Sequence, residues 1–196
     1  MDLNQALDIF KNYLKKEIFF DPSAFEESKN KFALKLYSKG EYFVEEGHIC
    51  KNFGFIVEGI FRAYYNQNGN DITTCFCNEN TFATSTSSFI SQSPSPISVQ
   101  AIENSYVLIT DYIILNELYN KSPFWLAFGR VIAEKEYLYA DCMHRCYGQM
   151  EAEDKYKMFL KDNPGIANRV PLQQIASFLG IRPETLSRIR KKTARS

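Results

Sequence analysis

Hydrophobic positions along the chain change period three times, and each change marks a boundary. Leu3, Leu7, Phe10 and Leu14 recur at helical spacing, which predicts one apolar helical face over Met1–Lys16. Asp21-Pro22 breaks that run, and the proline suits the first turn of a second short helix. From Lys31 to about Asp111 the pattern becomes short runs of β-branched and aromatic residues between turn signals: FALKLY, EYFVEEG, FGFIVEG, IFRAYY, ITTCF, ISVQAIE and SYVLIT. Asn68-Gly69 between two such runs is a hairpin signal, and Gly47 and Gly59 read as turn glycines. Strands this short and closely spaced predict an all-β roll, barrel or sandwich. One connection differs. Thr84–Pro96, TSTSSFISQSPSP, is polar and hydroxyl-rich, and reads as a long loop or a short helix plus loop.

Helical period returns from Pro123 to about Gln149, where Phe124, Phe128, Val131, Leu138 and Cys142 form a stripe that Lys135 interrupts. A helix this long resembles a spine or dimer helix, although the stripe fits packing on the chain's own β-roll equally well. Glu151–Lys161 is a further helix with Tyr156, Phe159 and Leu160 turned inward, ended by Asn163-Pro164-Gly165. The last stretch, RVPLQQIASFLGIRPETLSRIRKK from Arg169 to Lys192, reads as two short helices joined at Gly180. Ile175, Ala176 and Leu179 mark the first, and Leu186 and Ile189 mark the second, restarted by Pro183. A small residue at the helix crossing, a glycine at the turn and aliphatics between the helices are what a helix-turn-helix requires. The expected fold is therefore α+β, with units at 1–121 (β-roll), 122–149 (long helix) and 150–196 (helical C-terminal unit).

Charge adds a functional clue. The chain is formally neutral, but from Pro164 onward seven cations face one anion, a net +6, and the remainder carries −6. A basic end on an acidic body predicts a polyanionic partner for that end alone. No segment resembles a signal peptide and no run is apolar enough to span a bilayer, so no membrane is expected and the expected compartment is the cytoplasm. The five cysteines are an odd number with no secretory context for disulfides, and Cys142, Cys146 and the strand pair Cys75-x-Cys77 lack a four-ligand zinc spacing. Neither His48 nor His144 has a recognisable catalytic partner, and no glycine-rich phosphate loop is present, so no enzyme is expected.

A β-roll with a specialised loop, then a long helix, then VPLQQIASFLGIRPETLSRIRKK is similar to the Crp/Fnr family of bacterial transcription regulators. EEG at Glu45–Gly47, FIVEG at Phe55–Gly59 and the Asn68-Gly69 turn resemble glycine-marked turns of the family's cyclic-nucleotide-binding β-roll. The resemblance implies a homodimer held by the long helix, through Phe124, Phe128, Val131, Leu138 and Cys142. Paired recognition helices would read pseudo-palindromic double-stranded DNA with half-sites ~34 Å apart. It also implies RNA polymerase as a further contact and a small-molecule effector. Glu184 and Arg188 match the family's base-reading positions, and Thr185 and Ser187 share their outward face. Arg can bind guanine bidentately and Glu can accept from cytosine. Gln173, Arg182, Arg190, Lys191, Lys192 and Arg195 are placed for phosphates.

Three departures from members of the family shape the expectation. Relatives that bind cyclic nucleotides carry a Gly-Glu pair and, about ten residues on, an Arg-Ser, Arg-Thr or Arg-Ala pair. Those positions here are Thr84-Ser85 and Ser95-Pro96, and no charged residue lies from Thr81 to Ile102. A cyclic phosphate would lack its charge-assisted partner, so no cyclic nucleotide is expected. Thr84, Ser85, Thr86, Ser87, Ser88 and Ser95 remain as a hydroxyl loop for a neutral ligand or as a capped surface loop. The N-terminal cysteine cluster of the family's iron–sulfur members is absent as well, so neither a cluster nor another metal is expected. Finally, the β-hairpin wing common after the recognition helix is not expected within these residues, since the sequence runs only four residues past Lys192, as a naturally short form or a truncated one. The alternative function is a ligand-sensing or protein-binding β-roll whose DNA binding is weak or lost.

Overall fold

The computed structural model describes residues 1–143 and 150–193. Two helices open the chain. Helix α1 (Leu3–Glu17) is fixed by a capping box in which the Asp2 carboxylate accepts from the Gln5 backbone N–H and the Gln5 side chain accepts in return. In α2 (Pro22–Ser28), the Asp21 carboxylate accepts from Ser23 and Ala24 N–H. Both helices lie against a β-roll of two four-stranded antiparallel sheets. One sheet orders β1 (Ala33–Tyr37), β8 (Ser105–Asp111), β3 (Asn52–Glu58) and β6 (Phe82–Ala83). The other orders β2 (Tyr42–Val44), β7 (Ser98–Ala101), β4 (Phe61–Gln67) and β5 (Asn70–Cys77). The β4–β5 hairpin turns on Asn68 and Gly69, both at positive φ (53° and 85°), the geometry that Asn-Gly predicts. Gly59 is required for a second reason. Its φ is 112°, and a Cβ there would sit 2.1 Å from Ser105 Oγ.

The hydroxyl-rich connection contains a six-residue helix, α3 (Thr86–Ser91). After β8 the chain enters α4 (Tyr112–Lys121), capped by Asp111 onto Ile114 N–H at 2.8 Å, and then α5 (Pro123–Cys142). Neither α4 nor the two-residue β6 follows from the hydrophobic pattern. The expected continuation of α5 to Gln149, with His144 and Cys146, lies outside the described residues.

Helix α5 corrects the dimer stripe. Phe124 (6% exposed) and Phe128 (1%) are buried in the chain's own core beside Trp125, and Phe128 packs edge-on to Phe10 and close to Phe53. Val131 and Cys142 are half-buried, and Leu138 is exposed. A helical repeat specifies a covered face without specifying its cover, and over the first turns of α5 the cover is α1 and the roll. Beyond them the helix leaves the core: Tyr137, Leu138 and Tyr139 are all exposed.

The C-terminal unit comprises α6 (Ala152–Asp162), a 3₁₀ turn at Ile166–Asn168, α7 (Leu172–Leu179) and α8 (Pro183–Thr193). Its apolar core joins Tyr156, Phe159, Ile175, Ala176, Leu179, Leu186 and Ile189 to Ile60, Phe76 and Ile102 of the roll.

Candidate functional site

The α7–α8 pair is built by local rules. Helix α7 ends in a Schellman motif. Gly180 takes φ 65°, its N–H donates to the Ser177 carbonyl at 3.1 Å, and Ile181 N–H donates to the Ala176 carbonyl at 3.0 Å. Helix α8 begins where the Arg182 carbonyl accepts from Leu186 N–H at 3.1 Å, with Pro183 in the first turn. Ala176 and Leu186, both fully buried, belong to the one apolar core that holds the two helices together. What remains outside is polar. Glu184, Arg188, Lys191, Arg182 and Gln173 are exposed, and Thr185, Ser187 and Arg190 are half-buried. Glu184 and Arg188 stand one turn apart on that outer surface. Arg195 lies outside the described residues.

Two expected cations are already engaged. The Lys192 ammonium donates to Glu153 on α6 at 2.7 Å, so contact with a phosphate requires exchange of partners. Arg169, counted with the basic end, is turned away from it. Its guanidinium binds Glu79 through both terminal nitrogens (3.1 and 2.5 Å) and also binds Glu103, both on the roll. Burial pushes the Glu79 carboxyl up, but Arg169 and the Gly59 N–H outweigh it and hold the group below its usual range. The same face is tied by Ser177, which accepts from Thr73 N–H at 3.0 Å and donates to the Asp71 carbonyl at 2.9 Å.

A second site is a cavity of about 540 Å³ walled by β5, the start of the hydroxyl loop, α1 and α5. Thr84, Ser85, Thr86 and Ser87 line it, as the loop reading expects. Ser88 and Ser95 do not. The Ser88 hydroxyl accepts from Cys50 N–H and donates to the Ser93 carbonyl, closing the loop on the roll. Ser95 is buried with its hydroxyl 2.8 Å from Ser85 Oγ and 2.6 Å from the Ile97 carbonyl. These two hydroxyls are structural, because loop polar groups that turn inward must find partners on their own backbone.

Several cavity residues escape sequence reading: Tyr13, Cys75, Cys77, Ile132, Lys135, Glu136 and Tyr139. They come from three separate elements, and only the Cys-x-Cys spacing is visible in the sequence. Lys135 is paired with Glu17 at 2.5 Å. Loss of hydration raises the Glu136 carboxyl, opposed by a hydrogen bond from Thr86. Among the described residues no helix is long and apolar enough to cross a membrane.

Residues 34–122, the roll and its following helix, match the family model for the cyclic nucleotide-binding domain. The whole architecture is similar to solved regulators. FixK2 from Bradyrhizobium japonicum is 17% identical with a TM-score of 0.75, over 84% of this chain and 85% of that one. The c-di-GMP responsive global regulator CLP from Xanthomonas campestris is 15% identical with a TM-score of 0.69, over 89% and 92%. The catabolite activator protein of Thermus thermophilus is 16% identical with a TM-score of 0.56, over 90% and 84%. No curated protein matches the chain in sequence. Residues 34–122 thus resemble a cyclic nucleotide-binding domain, and the fold of the chain matches that of a Crp/Fnr-like protein.

Proposed function

We propose that the chain is a DNA-binding transcription regulator that reads a pseudo-palindromic promoter site as a homodimer. The observation that carries this reading is the outer face of α8. It presents Glu184, Arg188 and Lys191 to solvent on two helices locked at Gly180, and it belongs to the basic end of an otherwise acidic chain. In this reading Glu184 and Arg188 contact base edges, with Thr185 and Ser187 beside them, while Gln173, Arg182, Arg190 and Lys191 contact phosphates. Lys192 joins the phosphate contacts on leaving Glu153. The exposed outer half of α5, with Tyr137 and Leu138, takes a second copy of the chain and so sets two α8 helices on one duplex.

The cavity is the input site of this regulator, and its ligand is not a cyclic nucleotide. Where a carboxylate and a guanidinium would grip ribose and phosphate, Ser85 and Ser95 bond to each other at 2.8 Å. Cyclic AMP and cyclic GMP are expected to leave the melting temperature unchanged, and a rise of several degrees would refute the assignment. The DNA reading is tested by gel shift on promoter DNA from the native locus across a salt series. Retardation that weakens steeply with salt supports it. Absence of retardation at low salt would favour a β-roll whose output is a protein contact.

A further inference from the structure

Strand β5 is a wall shared by the cavity and the C-terminal unit. Residues two apart on a strand emerge on one face, and those between them emerge on the other. Cys75 and Cys77 accordingly both line the cavity, with their Sγ atoms 3.8 Å apart. Phe76 between them also borders the cavity, but its ring packs on the C-terminal unit, 6.0 Å from that of Phe159 and 5.6 Å from that of Phe178. Two residues before Cys75, Thr73 N–H donates to Ser177 on α7. The ladder with β4 is irregular at this point: Ala63 pairs with Cys75 and Tyr64 with Thr73, which leaves Thr74 as an inserted residue and gives the strand slack.

We propose that Cys75 and Cys77 form a modification site that reacts with a hydroperoxide entering the cavity and closes to an intrachain disulfide, reshaping β5 beneath the C-terminal helices. The Cys75 thiolate attacks a peroxide oxygen and the O–O bond breaks. The leaving oxygen takes a proton and departs as water or an alcohol, and Cys75 becomes a sulfenic acid. The Cys77 sulfur then attacks the Cys75 sulfur. The S–S bond forms as the S–O bond breaks, and the departing hydroxide leaves as water with the Cys77 proton. Two thiols and one hydroperoxide become a disulfide, an alcohol or water, and one further water.

The two sulfurs are differentiated for these roles. With Cys77 donating across the 3.8 Å contact, the Cys75 pKa is lowered against burial and the Glu136 carboxylate, the Tyr139 hydroxyl assisting, which favours Cys75 as the attacking thiolate. Cys77, raised by the same bond and by burial, is the thiol that resolves. The mechanical consequence follows from strand geometry. Cα atoms two apart on an extended strand lie roughly 6.6 Å apart, near the upper limit for a disulfide, whose usual separation is about 5.5–6 Å. Closing the bond draws the strand in around Phe76, the residue that carries the C-terminal unit.

The test treats the reduced full-length chain with hydrogen peroxide, counts free thiols and maps the linked peptide by mass. The expected result is loss of two thiols, an intrachain Cys75–Cys77 link lighter by two hydrogen atoms, and full reversal by dithiothreitol. Cys77→Ser should stop at a Cys75 sulfenic acid trapped by dimedone. Hydrogen exchange in α7 should rise on oxidation of the unsubstituted chain and stay constant in Cys77→Ser. Phenylarsine oxide, which bridges adjacent thiols, should consume the same two thiols with no substitution at all. Oxidation at Cys50 or Cys142 in preference to the pair, or an arsenical that spares the pair, would overturn the site. A Cys75–Cys77 link with unchanged exchange in α7 would overturn its coupling to the C-terminal helices. None of these readouts requires DNA binding.

Discussion

The α8 surface and the cavity are assembled on different principles. The first is local: Ala176, Gly180, Pro183, Leu186 and Ile189 settle its geometry within one short stretch, and its polar face is whatever they leave outside. The second is made by topology, since α1, β5, the hydroxyl loop and α5 each contribute part of the wall. A local device can be recognised from residue spacing and can keep its chemistry while its surroundings drift. A composite pocket has no such protection. Here the α7–α8 pair keeps the residue spacing that two helices joined at a glycine require, while the pocket is lined by hydroxyls and two thiols drawn from separate elements. Strand β5 is where the two regions meet.

Removing that junction should have the largest effect. Phe76→Ala deletes a buried ring shared by both regions and is expected to cost about 3–5 kcal/mol in urea unfolding, with the C-terminal unit losing hydrogen-exchange protection first. A loss below ~1 kcal/mol, the scale of a surface change, would mean that the two regions are mechanically independent. Arg188→Ala acts on the local region alone. It should lose ~1–3 kcal/mol on the cognate duplex and relax preference at one base pair, while the cavity thiols react as before. Equal weakening on random DNA would remove Arg188 from base reading.

The Arg169 contacts with Glu79 and Glu103 give the junction a pH dependence. Because Glu79 titrates below its ordinary value in the fold, its stabilising contribution is complete above the unfolded carboxylate pKa of ~4.3 and is lost as pH falls through the lower folded value. Acidification in that window should raise hydrogen exchange around Val170 while the roll stays folded, and Arg169→Ala should abolish the step. An identical acid transition in the variant would exclude the clamp. The smallest effect concerns Lys192. Glu153→Gln removes the Glu153 carboxylate from its ammonium and should steepen the salt dependence of DNA binding by up to about one unit, whereas Lys192→Ala should not. Equal slopes in the two variants would place Lys192 outside the phosphate contacts.

The same contrast explains how much was legible in the sequence. The strands announced themselves as short β-branched and aromatic runs between turn signals, the hairpin by Asn68-Gly69, and the α7–α8 pair by spacing. The stripe on α5 was visible but its cover was not, since Phe124 and Phe128 repeat identically whether a partner or the chain's own α1 lies over them. Helix α4 was hidden because Ile113-Ile114 continues the β-branched run of β8, although Asp111 was a readable cap. Lys192 and Arg169 looked like free cations because Glu153, Glu79 and Glu103 are remote in sequence. Of the cavity, only the hydroxyl loop and Cys75-x-Cys77 could be seen, and nothing in the sequence placed Tyr139 beside that pair.

The most direct test of DNA reading by α8 is selection of bound duplexes from a random pool by the purified chain, run in parallel with Arg188→Ala. The expected result is enrichment of a pseudo-palindrome with half-sites about one helical turn apart, with one position in each half-site losing its preference in the variant. Recovery of unenriched DNA by the unsubstituted chain, or the same enriched motif with and without Arg188, would contradict it.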